Sequence, residues 1–161
     1  MASLSVTVAA YGSLEAASAD WDEIARSSKA EVNLVDAAMI ERTDHRVAAL
    51  HRCSAKGWAE GSVASALVGT LSPPALLDGA IAGGVGKHVL TFVFNGLTRD
   101  AANELGRVLE SGRFVTLAVI ERALQPTAVA YGGRALAVAT LPMGGTAFDL
   151  RRACLDDDAD V

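Results

Sequence analysis

The sequence predicts an α+β fold: a ferredoxin-like antiparallel sheet with helices on one face and an inserted glycine-rich antiparallel helical hairpin. Three observations carry that expectation. Strand and helix patterns follow the order strand, helix, strand, strand, helix, strand, with one more helix and strand behind them. "RFVTLAVIER" is apolar on both faces, as a central strand covered on both sides must be. Between the third strand and the second core helix, "KGWAEGSVASALVGT" and "ALLDGAIAGGVGKH" set small residues at intervals of four.

Each element has its own signal. Leu4, Val6, Val8 and Ala10 alternate with Ser5, Thr7 and Ala9, which predicts a first strand over residues 4–10. Ser13 is placed to cap a helix over residues 13–27, with Leu14, Ala17, Trp21, Ile24 and Ser28 on one face. "EVNLVDAAMIERT" predicts the second strand. Thr43 to Arg46 make a polar turn, and "RVAALHRC" returns as the hairpin partner. Thr98 or Asp100 opens another amphipathic helix, with Ala101, Ala102, Leu105, Val108 and Leu109 inward and Gly112 as its stop. The strand over residues 114–121 should be central, its second face covered by the hairpin or by another subunit. Pro126 opens a short helix that ends at Gly132 and Gly133, and "RALAVATLP" supplies the last strand. Residues 1–155 read as one domain, with 57–96 as the inserted hairpin and 156–161 as a mobile acidic tail.

Glycine inside a helix costs about 1 kcal/mol relative to alanine, so its spacing needs a reason. Residues four apart share a helical face, and Gly57, Gly61, Ser65 and Gly69 draw one flat groove along it. Ser72 and Pro73 form a helix-start pair that turns the chain, and Gly79 and Gly83 give the returning helix a small face of its own. Small faces of this kind let a second backbone approach closely. These six positions are therefore the expected helix-packing and oligomer interface. Gly96 lies outside the zipper pattern, and Gly96→Ala is expected to be nearly silent. Neither arm supplies the roughly 20 continuous apolar residues of a spanning helix. Pro73 and Pro74 divide the run, and Asp78 and Lys87 interrupt the second arm.

The pattern resembles a bacterial domain-of-unknown-function family often labelled "predicted membrane protein", some of whose members are grouped with general stress proteins. The resemblance runs from "VTVAAYGSLEAASADW" through "VDAAMIERTDHRVAAL" and "LGRVLESGRFVTLAVIER" to "AVAYGGRALAVATLP". It implies a ferredoxin-like fold and no established activity, and it brings no catalytic residues. Where members carry glycine and lysine in the second hairpin turn, this chain has Asp44, His45 and Arg46.

Composition narrows the function classes. The chain has 161 residues, 51% of them apolar and 20% charged, with a formal net charge of −5. Mean hydropathy is +0.30 and the pI about 5.1. So apolar a chain favours buried contacts between subunits or with a membrane. The absence of a basic cluster argues against nucleic acid as a partner. An RNA-recognition sheet would also need exposed aromatics on its inner strands, and "RVAALHRC" has none. "GGVGKH" fails the phosphate-loop template, which would require glycine at Ile81 and serine or threonine at His88. His45, His51 and His88 lack metal-ligand spacing and read as ordinary polar histidines. Cys53 and Cys154 match neither a zinc pattern nor a redox pair, and read as reduced structural thiols. Trp21 and Trp58 read as packing anchors. The N-terminal segment has no basic run ahead of an apolar one, so a cytoplasmic location is expected.

No catalytic residue, cofactor or metal is expected from these features. The leading expectation is a non-enzymatic, self-assembling protein whose partner is itself. A peripheral membrane-associated stress protein that inserts its hairpin into lipid is the first alternative. A small-ligand-binding or enzymatic dimeric α+β barrel is the second.

Overall fold

The computed structural model describes residues 3–27, 34–43, 47–54, 92–93, 95–121 and 134–159. The elements run β1 (Ser3–Tyr11), α1 (Leu14–Ser27), β2 (Leu34–Arg42), β3 (Val47–Ser54), α2 (Arg99–Leu109), β4 (Phe114–Glu121), β5 (Ala137–Thr146) and α3 (Ala147–Ala159). The strands form one antiparallel sheet in the order β3-β2-β4-β1-β5. The α+β class is as expected, and so is the central place of β4, which lies between β1 and β2.

The strand order is not the ferredoxin-like one. There, the strand that follows β2 in a hairpin turns inward, between the first two strands. Here β3 turns outward to the edge, and β4 takes the inner position. Composition accounts for the choice. β3 carries Leu50 and His51 exposed, whereas β4 is buried from Phe114 to Val119. Only the latter suits a place with neighbours on both edges and cover on both faces.

The helices also divide between the two faces, where one face was expected. Ala17, Trp21 and Ile24 of α1 pack on Ala9, Tyr11, Ala37, Met39, Phe114 and Ala118. Leu105, Val108 and Leu109 of α2, with Leu150 and Ala153 of α3, pack on Leu4, Val6, Val8, Val115, Leu117 and Val119. Alternation along β1 and β4 sends successive side chains to opposite cores. The doubly apolar strand β4 thus contributes to both cores, the one under α1 and the one that α2 and α3 share with β1 and β5.

Local signals fix the helix ends. The Ser13 hydroxyl accepts from the Ala16 N–H at 3.2 Å, as its capping position predicts. Thr98 caps α2 by accepting from the Ala101 N–H at 3.1 Å. At α3, the Asp149 N–H donates to Thr146 Oγ1 at 3.2 Å, while the Thr146 N–H and hydroxyl donate to Asp149 Oδ2 at 3.2 and 3.0 Å. This reciprocal box starts a helix over residues that read as the approach to a mobile tail, and α3 takes in most of the acidic run.

The hairpin positions Gly57, Gly61, Ser65, Gly69, Gly79 and Gly83 lie outside the described residues. So do the helix expected from Pro126 and residues 160–161.

Gly96 is not a neutral position. A Cβ there would lie 2.9 Å from the Gly144 carbonyl oxygen and 3.2 Å from Met143 Cγ. Backbone meets backbone at this contact, so neither side can yield by a rotamer change. Gly96→Ala should therefore cost about 1–3 kcal/mol, the usual range for overpacking. A urea-unfolding midpoint unchanged from wild type would contradict the contact.

Candidate functional site

Among the described residues, a polar cluster sits where α1 crosses the sheet. Spacing of 17, 20, 21 and 24 along α1 places Asp20 on the same buried side as Ala17, Trp21 and Ile24. A carboxylate there must be paired or hydrogen-bonded. Asp20 is only 2% exposed. Its Oδ2 accepts from the Tyr11 hydroxyl at 2.6 Å, and its Oδ1 accepts from Arg134 at 2.7 Å. The Arg134 guanidinium also reaches Glu23 at 3.7 Å. The hydrogen bond to Asp20, and then the charge of Asp20, raise the Arg134 pKa above its ordinary value.

Three separated pieces of chain meet at this carboxylate: the end of β1, the middle of α1, and the segment leading into β5. Both oxygens of Asp20 are taken by protein groups, so the cluster clamps α1 to the sheet.

A second contact ties α1 to the opposite edge. The rings of Trp21 and His51 stack with centroids 5.8 Å apart and planes 17° from parallel. Trp21 is the buried anchor that its size predicted. His51, read as an ordinary polar histidine at a strand end, instead lies across the face of that indole. Register explains the meeting: His51 stands opposite Met39, on the side of the sheet that α1 covers.

A shallow, open depression of about 230 Å³ lies on α2, lined by Ala102, Asn103, Gly106, Arg107 and Glu110. None of these side chains is buried, so nothing fixes a ligand's orientation there. Among the described residues, no three His, Cys, Asp or Glu side chains come together as metal ligands. None of the described helices is long and apolar enough to cross a membrane. Cys53 falls in β3 and Cys154 in α3, while His45, His88 and Trp58 lie outside the described residues.

The exposed large apolar side chains mark the remaining surface. Leu136 and Val138 belong to the β5 edge, and Leu14 stands at the start of α1. A Leu136 methyl lies 3.4 Å from the Cβ position of Gly12, two residues before Leu14. Phe148 and Leu155 project from α3.

Sequence reasoning missed Tyr11, Asp20 and Arg134. A signal for Asp20 was present, because an acid among the inward positions of an amphipathic helix calls for a partner. Nothing local pointed to Arg134, which lies 114 residues further along the chain. Comparison of the chain with protein-family models, with curated proteins and with solved structures gives no match.

Proposed function

We propose that the chain is a non-enzymatic cytoplasmic protein that assembles with copies of itself. The observation that carries this reading is the apolar group at one sheet edge. Leu136 is 66% exposed and Val138 41%, with Leu14 at 48% where α1 leaves β1. Covering such side chains gains roughly 25 cal/mol for each Å² removed from water. A second copy of the chain is the partner at hand. In the same reading, residues 57–96 form an inserted hairpin whose small face at Gly57, Gly61, Ser65, Gly69, Gly79 and Gly83 is a further contact. The resemblance to a stress-associated family is compatible with a role of this kind.

The ligand-binding alternative has less support, since the buried polar cluster satisfies its own carboxylate. The membrane-associated alternative is separated by fractionation. Prepared without detergent, the chain should be recovered as one defined species, a multiple of 16.6 kDa by native mass measurement. Leu136→Asp should lower that mass while leaving the circular dichroism spectrum unchanged. A single-chain mass across micromolar concentrations would refute assembly, and recovery only in washed membranes would favour the membrane-associated alternative.

A further inference from the structure

Among the described residues the sheet has two edges, β3 and β5. An edge strand presents unpaired N–H and C=O groups, and proteins guard such edges with charge, proline or cover. β3 has a charged residue, Arg52, in its sequence. The chain from Ala135 to Phe148, which contains all of β5, has no charged residue. Two copies of this strand therefore meet without a like-charge pair, although the whole chain carries −5.

Pro142 sets the geometry. Proline is tolerated in a strand where its missing N–H points away from the ladder. Pro142 stands opposite Ser5 in the β1–β5 register. Backbone groups alternate in direction along an antiparallel strand. Ala137, Ala139 and Leu141 then bond to β1, while Val138 and Thr140 turn their N–H and C=O groups outward. Leu136 precedes the strand and falls outside this alternation, its N–H being given to the Ala10 carbonyl at 2.8 Å. Among the described residues, the donors this leaves without a partner strand are those of Val138 and Thr140, and Pro142 ends the row.

Building on the assembly reading, we propose that two copies pair their β5 strands edge to edge, antiparallel, about a two-fold axis at Ala139. Val138 of each copy then stands opposite Thr140 of the other, which satisfies the outward donors and acceptors of both residues. Leu136 comes beside Pro142 of the second copy, so the exposed leucine and valine leave water together. The contact is the same patch on both copies and closes on itself. The product is one continuous sheet of double width.

The test separates backbone pairing from general stickiness. Val138→Pro removes an outward N–H that β1 does not use, and Val138→Thr keeps both the N–H and the branched shape. The threonine variant should hold the wild-type mass, and the proline variant should fall to half of it with an unchanged circular dichroism spectrum. A folded proline variant of wild-type mass would overturn the pairing while leaving assembly by another surface intact. A wild-type chain that is monomeric throughout would overturn both.

Should Val138→Pro fail to fold, crosslinking decides. Facing residues of a non-hydrogen-bonded pair have Cα atoms about 4.5 Å apart, within the span a disulfide bridges. In a Cys53→Ser, Cys154→Ser background, Ala139→Cys should give a covalent dimer on oxidation, and Leu50→Cys on the β3 edge should not. An Ala139→Cys chain that stays uncrosslinked in an oligomeric preparation refutes the arrangement.

Discussion

Gly112→Ala should destabilise the protein by about 3 kcal/mol, at the upper end of the overpacking range. Gly112 lies between α2 and β4, against the last residue of β1. A Cβ there would come within 2.6 Å of the Tyr11 carbonyl oxygen, 2.9 Å of its nitrogen and 3.1 Å of its carbonyl carbon. All three are main-chain atoms of a residue whose side chain is buried and bonded to Asp20. Tyr11 also pairs with Phe114 in the β1–β4 ladder, so the strand cannot move aside without breaking register. At roughly 2–4 °C for each kcal/mol in a chain of this size, the melting temperature should fall by about 6–12 °C. A loss below about 0.5 kcal/mol, the level of an ordinary surface change, would show that the strand end has room.

The same residue was expected as the helix stop, a role the structure gives to Glu110 as the cap. As a helix stop, glycine is usually explained by access to left-handed backbone angles. Among the described residues, only Gly145 has a positive φ, at 92°. The helix ends at Leu109 with Glu110 as its cap, Gly112 follows without a positive φ, and the space beside Tyr11 is what excludes a side chain there.

Asp20→Ala should cost about 2 kcal/mol, the scale of a buried hydrogen bond lost together with a charged one. The carboxylate accepts from a buried tyrosine and a half-exposed arginine, so only the tyrosine side is shielded from water. Tyr11→Phe removes one of the two bonds and should cost about 1 kcal/mol. The double variant should lose less than the sum of the two, because both changes delete the same hydrogen bond. Guanidinium unfolding of the three variants measures this coupling. Additive losses would mean that the two residues do not act through their contact at 2.6 Å. Added salt should weaken the Arg134 contribution, since that side chain is 51% exposed.

Local pattern was enough for β1, α1, the β2–β3 hairpin, α2 and β4. In each, the period of apolar residues and the caps Ser13 and Thr98 act over a few residues, so sequence neighbours are also spatial neighbours. α3 was equally local, and its Thr146–Asp149 box was available. It was overlooked because the acidic run beyond Leu155 read as solvated tail.

Other features depended on contacts between distant parts of the chain. Alternation in β1 and β4 demanded cover on two faces, yet could not say which helix would supply each. That was decided by the crossing of α1 from β1 to β2 over one side, with α2 and α3 packing against the other. Likewise, an outward or an inward hairpin leaves the pattern of β2 and β3 unchanged. The choice follows from competition for the place beside β1, won by the more apolar β4. Asp20 shows the same division: its place on the buried face of α1 follows from helical spacing, but its partner Arg134 was brought to it only by the fold.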